Sequence, residues 1–189
     1  MKPGSRALGI AESYEGSSST LAGVVATARG RIEDFGFGRC TVGGTDATAA
    51  IADLVTTVAR EDVRVVLLAG VALSWFNIVD VEGLADTLER PVVAVTFEAS
   101  DGLEESIREA FDDETVVDDR LERYRALPPR FRHDLDGTVI FLRAGGCDRE
   151  RARRAVDTFT PAGSDRPAVL RVAKLAARGA DRARSREAL

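Results

Sequence analysis

Residues 65–95, VVLLAGVALSWFNIVDVEGLADTLERPVVAV, decide the fold of this 189-residue chain. Two apolar, β-branched runs, residues 63–68 and 91–97, are typical of strands that are buried on both faces of a sheet. Between them lie a loop and a segment, residues 80–89, whose apolar positions recur at helical spacing. This order predicts a strand, a loop, a crossover helix and a second strand parallel to the first.

The segments around this unit extend the prediction to a whole sheet. Before it, the sequence predicts strands over residues 7–11, 21–28 and 32–42, joined by turns into an antiparallel meander, and then a helix that Thr45 caps and that ends near Val58. After it come helices over 102–111 and 117–125, a strand over 138–143, and helices over 149–158 and 167–178. Three meandering strands followed by parallel crossovers, with helices on both faces, are the order of the ribonuclease H-like α/β fold.

Length and motifs limit the class of protein. One domain over residues 1–178, followed by a basic, flexible tail over 179–189, suits this length. Cys40 and Cys147 have no metal-ligand spacing, and the single histidine, His133, is expected in an exposed loop. No phosphate-binding glycine loop or nucleophile elbow is present. Without a signal peptide or a membrane-spanning run, we expect a cytoplasmic protein with no membrane partner.

Charge is distributed unevenly along the chain. Residues 166–189 hold seven basic and two acidic residues, whereas the first 165 residues hold nineteen basic and twenty-nine acidic ones. A basic final helix beside an acidic body suits contact with a nucleic-acid backbone; the alternative is a solvated helix. Lysine occurs only at positions 2 and 174. An acidic, arginine-rich composition fits a salt-loving archaeon, and a GC-rich genome would produce it as well.

Acidic and amide residues follow the ends of the predicted strands. Glu12, Asp46, Asn77 and Asp80 come from the end of the first strand, the start of the first helix and the loop after the central strand, which meet at one edge in this fold. Such carboxylates can hold Mg²⁺ for phosphodiester cleavage, with Asn77 orienting a ligand or the loop. Each acid alone also has a structural interpretation: a strand-end acid, a helix-start acid, or the N-cap of the helix after Asp80.

Neighbouring residues are candidates for substrate binding. Trp75 and Phe76 could stack on an exposed base or pin the loop to the core. Tyr14, next to Ser13, could act as a wedge or lid over a flipped base, or pack against a helix. Arg171 on the final helix could contact a phosphate or pair with an acid of the body. These alternatives remain open at the level of sequence.

Several motifs along the whole chain resemble the archaeal endonuclease dU family, which is related to endonuclease V. They are GIAESY at 9–14, VGGTDAT at 42–48, AGVA at 69–72, FNIVD at 76–80, RPVVAVT at 90–96 and LRVAKL at 170–175. The resemblance implies a ribonuclease H-like fold and a DNA repair endonuclease that cleaves DNA containing deoxyuridine, a product of cytosine deamination.

The chain departs from this resemblance at two metal-ligand positions. Ala11 stands where endonuclease V has a metal-binding aspartate on its first strand, and Ala69 stands where it has a second one. Asp46 is similar to the acid between them. A Mg²⁺ site would therefore rest on Glu12, Asp46 and Asp80. The alternative function is a non-catalytic nucleic-acid-binding or partner-docking protein on the same fold, and the sequence leaves monomer and homodimer open.

Overall fold

The computed structural model describes residues 4–58, 61–99 and 102–187. The strands are β1 (Arg6–Glu15), β2 (Ser18–Thr27), β3 (Ile32–Thr41), β4 (Val63–Leu68), β5 (Ala72–Leu73), β6 (Asn77–Ile78), β7 (Val92–Thr96), β8 (Phe131–Leu135) and β9 (Thr138–Gly145). The helices are α1 (Ala47–Val58), α2 (Val81–Leu88), α3 (Glu104–Ala110), α4 (Glu114–Arg125), α5 (Arg149–Thr158) and α6 (Ala168–Glu187). Within these residues, seven strands form one sheet in the order β3-β2-β1-β4-β7-β9-β8, and β5 pairs with β6.

The central part of the sheet has the predicted topology. β1, β2 and β3 form the antiparallel meander, and β1, β4 and β7 run parallel as neighbours. One apolar core packs α1 and α2 against one face of the sheet, and a second packs α5 and α6 against the other. The carboxyl ends of β1 and β4 therefore lie side by side at one edge, where the amide of Ala69 donates to the carbonyl of Ile10.

The second half of the sheet corrects two predictions. β9 runs antiparallel to β7, not parallel, and β8 occupies the segment predicted as a loop. The two strands form a hairpin through Asp136 and Gly137, which both have positive φ angles. An Asp-Gly pair is a strong hairpin signal in a sequence, so this strand was detectable. His133 consequently lies on β8, where its side chain is 12% exposed and Nε2 is 2.6 Å from Oδ1 of Asp157.

Helix α6 extends well beyond its predicted end at residue 178. It crosses β1 so closely that a Cβ atom on Gly9 would lie 2.6 Å from Cβ of Val169. Near its end, the carboxylate of the buried Asp181 accepts hydrogen bonds from Ser13, Thr20 and Arg184. Residues 179–187 are thus helical and anchored to the β1–β2 hairpin, which corrects the prediction of a flexible tail. None of the helices in the described ranges is both long and apolar enough to cross a membrane.

Candidate active site

Glu12 lies on β1 just beyond its parallel pairing with β4, and its side chain is 15% exposed. Oε2 accepts hydrogen bonds from Ser19 at 3.2 Å and from Ser74 at 3.4 Å. Nζ of Lys174 lies 3.5 Å from Oε1 and donates to the carbonyl of Glu12 at 2.6 Å. The carboxylate is therefore held beside an ammonium group at the carboxyl ends of the parallel strands.

Lys174 is a residue of the site that the sequence analysis missed. It lies on α6, whose close packing on β1 carries it to Glu12 from 162 positions along the chain. Its side chain remains 40% exposed, and an ammonium has three donors, so it retains capacity for a further acceptor. The available signal was its rarity: the chain has 26 lysines and arginines together, and only two of them are lysine.

The loop between β5 and β6 forms one left-handed turn beside Glu12. Ser74, Trp75 and Phe76 have φ angles of 43°, 63° and 57°. This conformation costs roughly 1–2 kcal/mol for each residue that is not glycine. Tertiary contacts maintain it: Ser74 accepts a hydrogen bond from the amide of Gly43 at 2.8 Å, and Phe76 packs edge-on between Trp75 and Phe111. Backbone strain of this kind is concentrated at functional sites.

The turn leaves its two aromatic side chains in different surroundings. Trp75 is 49% exposed, while Phe76 is half-buried and packs against the core. Helix α4 supports the adjacent loop, because the buried Arg120 donates to the carbonyl of Gly43 at 2.7 Å and lies over the ring of Phe111. Of the two predicted stacking residues, only Trp75 is therefore presented to solvent.

Asp46 directly precedes α1 and is bound by its own chain. Its carboxylate accepts hydrogen bonds from the amide and hydroxyl of Thr41 and, at 2.7 Å, from the side-chain amide of Asn77. Partial burial acts to raise the pKa of Asp46, but these hydrogen bonds outweigh it and lower the pKa below its ordinary value. Asn77 is fully buried and also accepts from the amide of Ala47, so it orients the loop.

Cys40 lies between the two acids. Its Sγ atom is 3.7 Å from Oγ of Ser74, the hydroxyl that also binds Glu12. Burial raises the pKa of the Cys40 thiol, and the charges of Asp46 and Glu12 raise it further. Glu12 and Asp46 are thus brought into one neighbourhood, separated by a neutral thiol.

Asp80 does not join this pair. It is the N-cap of α2, and Oδ1 accepts from the amide of Gly83 at 3.0 Å. In the part of the chain that the structure describes, no group of three or more His, Cys, Asp or Glu side chains is placed to hold a metal ion. The residues therefore do not fit the predicted Mg²⁺ site of Glu12, Asp46 and Asp80, because each carboxylate already has other partners.

The two alanines at departed metal-ligand positions are packed in apolar surroundings. Ala11 is fully buried in a small cluster with Val24 and Ala173, and Ala69 packs against the same cluster. Helix α6 contributes part of this packing, so the side of β1 opposite Glu12 is closed by methyl groups. Nothing in this cluster offers an oxygen ligand from a side chain.

The remaining predicted binding residues lie in different places. Ser13 faces α6 and donates to Asp181, on the side of β1 opposite Glu12. Tyr14, two residues after Glu12 and therefore on the same face of the strand, is 42% exposed. Arg171 is exposed on α6. The structure thus leaves Tyr14, Trp75 and Arg171 accessible, and gives Ser13 a structural contact.

Comparison with known proteins adds a family and a fold. A family model described as Endonuclease dU matches residues 3–180. A UPF0215 protein of Pyrobaculum aerophilum is 38% identical over 174 residues, covering 90% of this chain and 91% of that protein. A crystal structure of a protein of unknown function from Archaeoglobus fulgidus superimposes with a TM-score of 0.81 at 24% identity, covering 93% of this chain and 98% of that one.

Endonuclease V is a more distant structural relative. The Ciona intestinalis enzyme, solved in complex with DNA containing an inosine followed by a ribo-adenosine, superimposes with a TM-score of 0.61 at 14% identity. The match covers 93% of this chain and 85% of that one. These likenesses confirm the ribonuclease H-like fold that the order of strands and helices predicts.

Proposed function

The chain belongs to the endonuclease dU family, and from that membership we propose that it is an endonuclease that cuts DNA containing deoxyuridine. The observation that carries the proposal is the fixed pair of Glu12 and Lys174 at the carboxyl ends of the parallel strands, next to the exposed Trp75. In open α/β sheets this edge is where ligands bind. The sequence motifs, the fold and the placement of charge all support a nuclease at this edge.

The pair supplies the two groups that phosphodiester hydrolysis needs. Glu12 accepts a proton from a water molecule as the water oxygen bonds to phosphorus. The phosphorus–oxygen bond of the leaving strand end breaks, and the proton returns to that oxygen through solvent. Lys174 stabilises the negative charge that develops on the phosphate oxygens, since it is already fixed where this charge arises. Asp46 takes no part in these steps and supports the loop.

Trp75 and α6 supply contacts to DNA in this proposal. An enzyme that examines a base in a duplex must take it out of the stack, and an exposed aromatic ring stabilises the flipped base or fills its place. Trp75, held by its left-handed turn, is the group placed to do so, with Tyr14 beside Glu12. On α6, Arg171, Arg178 and Arg182 are exposed and contact the backbone phosphates.

A nicking assay with the full chain tests this proposal. Duplexes with one deoxyuridine and matched duplexes with thymidine are incubated with Mg²⁺ or with EDTA. We expect nicking of the deoxyuridine strand, and a loss of about 10²–10⁴-fold in Glu12→Gln, because the water then lacks its base. Glu105→Gln changes an exposed acid on α3 in the same way and should keep full activity.

Each arm of this assay has a separate meaning. No nicking under any condition rejects the nuclease, and equal nicking of both duplexes rejects the deoxyuridine specificity. The Mg²⁺ expectation came from the resemblance, and this chain does not offer three carboxylates for it. A strict requirement for Mg²⁺ would mean that phosphates of the DNA complete the coordination of an ion on one or two carboxylates.

A non-catalytic nucleic-acid-binding protein is the second candidate. The observation that favours it is the apolar packing of Ala11 and Ala69 where endonuclease V-like relatives would hold metal ligands. It predicts salt-dependent DNA binding without cleavage. Because α6 packs into the core, its charges are better neutralised than deleted: Arg171, Arg178 and Arg182 changed together to Gln should reduce the slope of affinity against salt by up to about three phosphate contacts.

A further inference from the structure

Strand β3 is an edge of the sheet, because it pairs only with β2. In an antiparallel strand, the main-chain groups of alternate residues turn toward and away from the partner. The amide of Phe35 donates to the carboxylate of its neighbour Asp34 at 2.8 Å, and the amide of Thr41 donates to Asp46 at 3.1 Å. These contacts show that the odd-numbered residues of β3 direct their main-chain groups to the free side.

Phe37 and Arg39 lie between these two capped amides. They share the orientation of Phe35 and Thr41, so their N–H and C=O groups also face the free side of β3. Both side chains are exposed, with 55% of Phe37 accessible, and Gly38 between them has no side chain. The edge therefore presents a short window of four main-chain groups, closed at each end by an acidic side chain. An exposed window of this kind pairs readily with another strand.

We propose that β3 pairs with β3 of a second copy of this chain, antiparallel, with Gly38 opposite Gly38. Phe37 then lies opposite Arg39 of the second copy, and the two-fold axis repeats this pair. Residues opposite each other in such positions exchange both of their hydrogen bonds, so four bonds satisfy the four free groups of each window. The contact is the same patch on both copies, which is the arrangement of closed dimers.

The positions of the capped amides select this register. With Gly38 at the axis, Phe35 lies opposite Thr41 of the second copy, so the pairing ends where both strands already have capped amides. Placing Phe37 opposite Phe37 would require the amide of Phe35 to leave Asp34. The selected register also sets a guanidinium group against an aromatic ring twice, a favourable cation–π pairing.

Sedimentation equilibrium of the full chain over a wide range of concentration tests the dimer. We expect wild type to change from one to two chains per particle as concentration rises. Phe37→Arg places Arg opposite Arg and should weaken the dimer by about tenfold or more. The double exchange, Phe37→Arg with Arg39→Phe, restores an arginine opposite a phenylalanine, and the dimer should return. Leu175→Arg, at an exposed position on α6, is the matched control that should leave the dimer unchanged.

A second variant separates pairing from folding. Arg39→Pro removes one donor on the free side while leaving the ladder with β2 intact, and it should also weaken the dimer. Circular dichroism identifies any variant that fails to fold. A wild type that stays monomeric, a dimer that Phe37→Arg leaves intact, or a folded double exchange that stays monomeric would each overturn the proposal. None of these measurements depends on nuclease activity.

Discussion

Glu12 and Asp46 lie at the same edge of the sheet, and their surroundings give them different capacities. Glu12 is bound by two hydroxyl groups and an ammonium, all on side chains that can change partners when a substrate arrives. Asp46 is bound by a main-chain amide and by a fully buried asparagine, which are fixed by the fold. The difference teaches that an acid at a ligand-binding edge is available for chemistry only when its partners are exchangeable.

The largest expected effect comes from removing the ammonium beside Glu12. Lys174→Gln should lower the rate of nicking by about 10²–10³-fold, because a fixed charge that stabilises the developing phosphate charge is lost. Lys174→Arg retains the charge and should recover part of the rate. Arg178→Gln on the same helix is the control. Stability should change by less than about 1 kcal/mol, because the pair is partly exposed, and a larger loss in urea unfolding would make Lys174 a structural residue.

Removing the fixed partner of Asp46 should affect stability and not chemistry directly. Asn77→Ala leaves the amide of Ala47, the carbonyl of Thr41 and the carboxylate of Asp46 with fewer partners. We expect a loss of about 2–4 kcal/mol in the free energy of unfolding, measured with urea. Asp80→Ala, which removes only a helix cap, should cost about 1 kcal/mol. Equal losses in the two variants would contradict the distinction between a buried network and a cap.

Trp75 connects the two acids, because its turn lies between them. Trp75→Gly removes an exposed ring from a left-handed position that glycine adopts freely. Affinity for deoxyuridine DNA should fall by about 1–3 kcal/mol, measured by fluorescence anisotropy, because stacking is lost. Unfolding free energy should rise by up to about 1 kcal/mol. Phe35→Ala removes an exposed ring on β3 and serves as the binding control; a similar loss of affinity there would argue against specific stacking.

The smallest expected effect is a dependence of stability on pH. Because the pKa of Asp46 is lowered in the folded chain, its ionised form contributes stability above its unfolded pKa of about 3.9, and this contribution is lost as the pH falls through the lowered value. Asp46→Asn should therefore be less stable than wild type near neutral pH and should flatten the acid side of the stability curve. A parallel curve for both proteins would show that the lowered pKa carries no stability.

The agreement between sequence and structure follows the range of the interactions involved. Residues 63–68 and 91–97 were readable as neighbouring strands, since continuous apolar runs have few other uses in a chain of this length. The antiparallel direction of β9 was not readable, because an apolar strand has the same pattern in either direction. For the site, Glu12 and Asp46 were placed at the correct edge, while Asp80 was expected in a metal site and is instead the helix cap that the local pattern also allowed.

Local patterns in the amino-acid chain were sufficient for the order of strands, the edge where polar residues collect, and the left-handed loop's position between them, because periodicity and turn residues act over a few positions. The path of α6 lies outside such patterns. Gly9 permits the helix to approach β1, and this approach brings Lys174 to Glu12 and Asp181 to the β1–β2 hairpin. Pairings between residues more than 150 positions apart depend on how whole elements pack, so the partner of the central carboxylate emerged only from the folded chain.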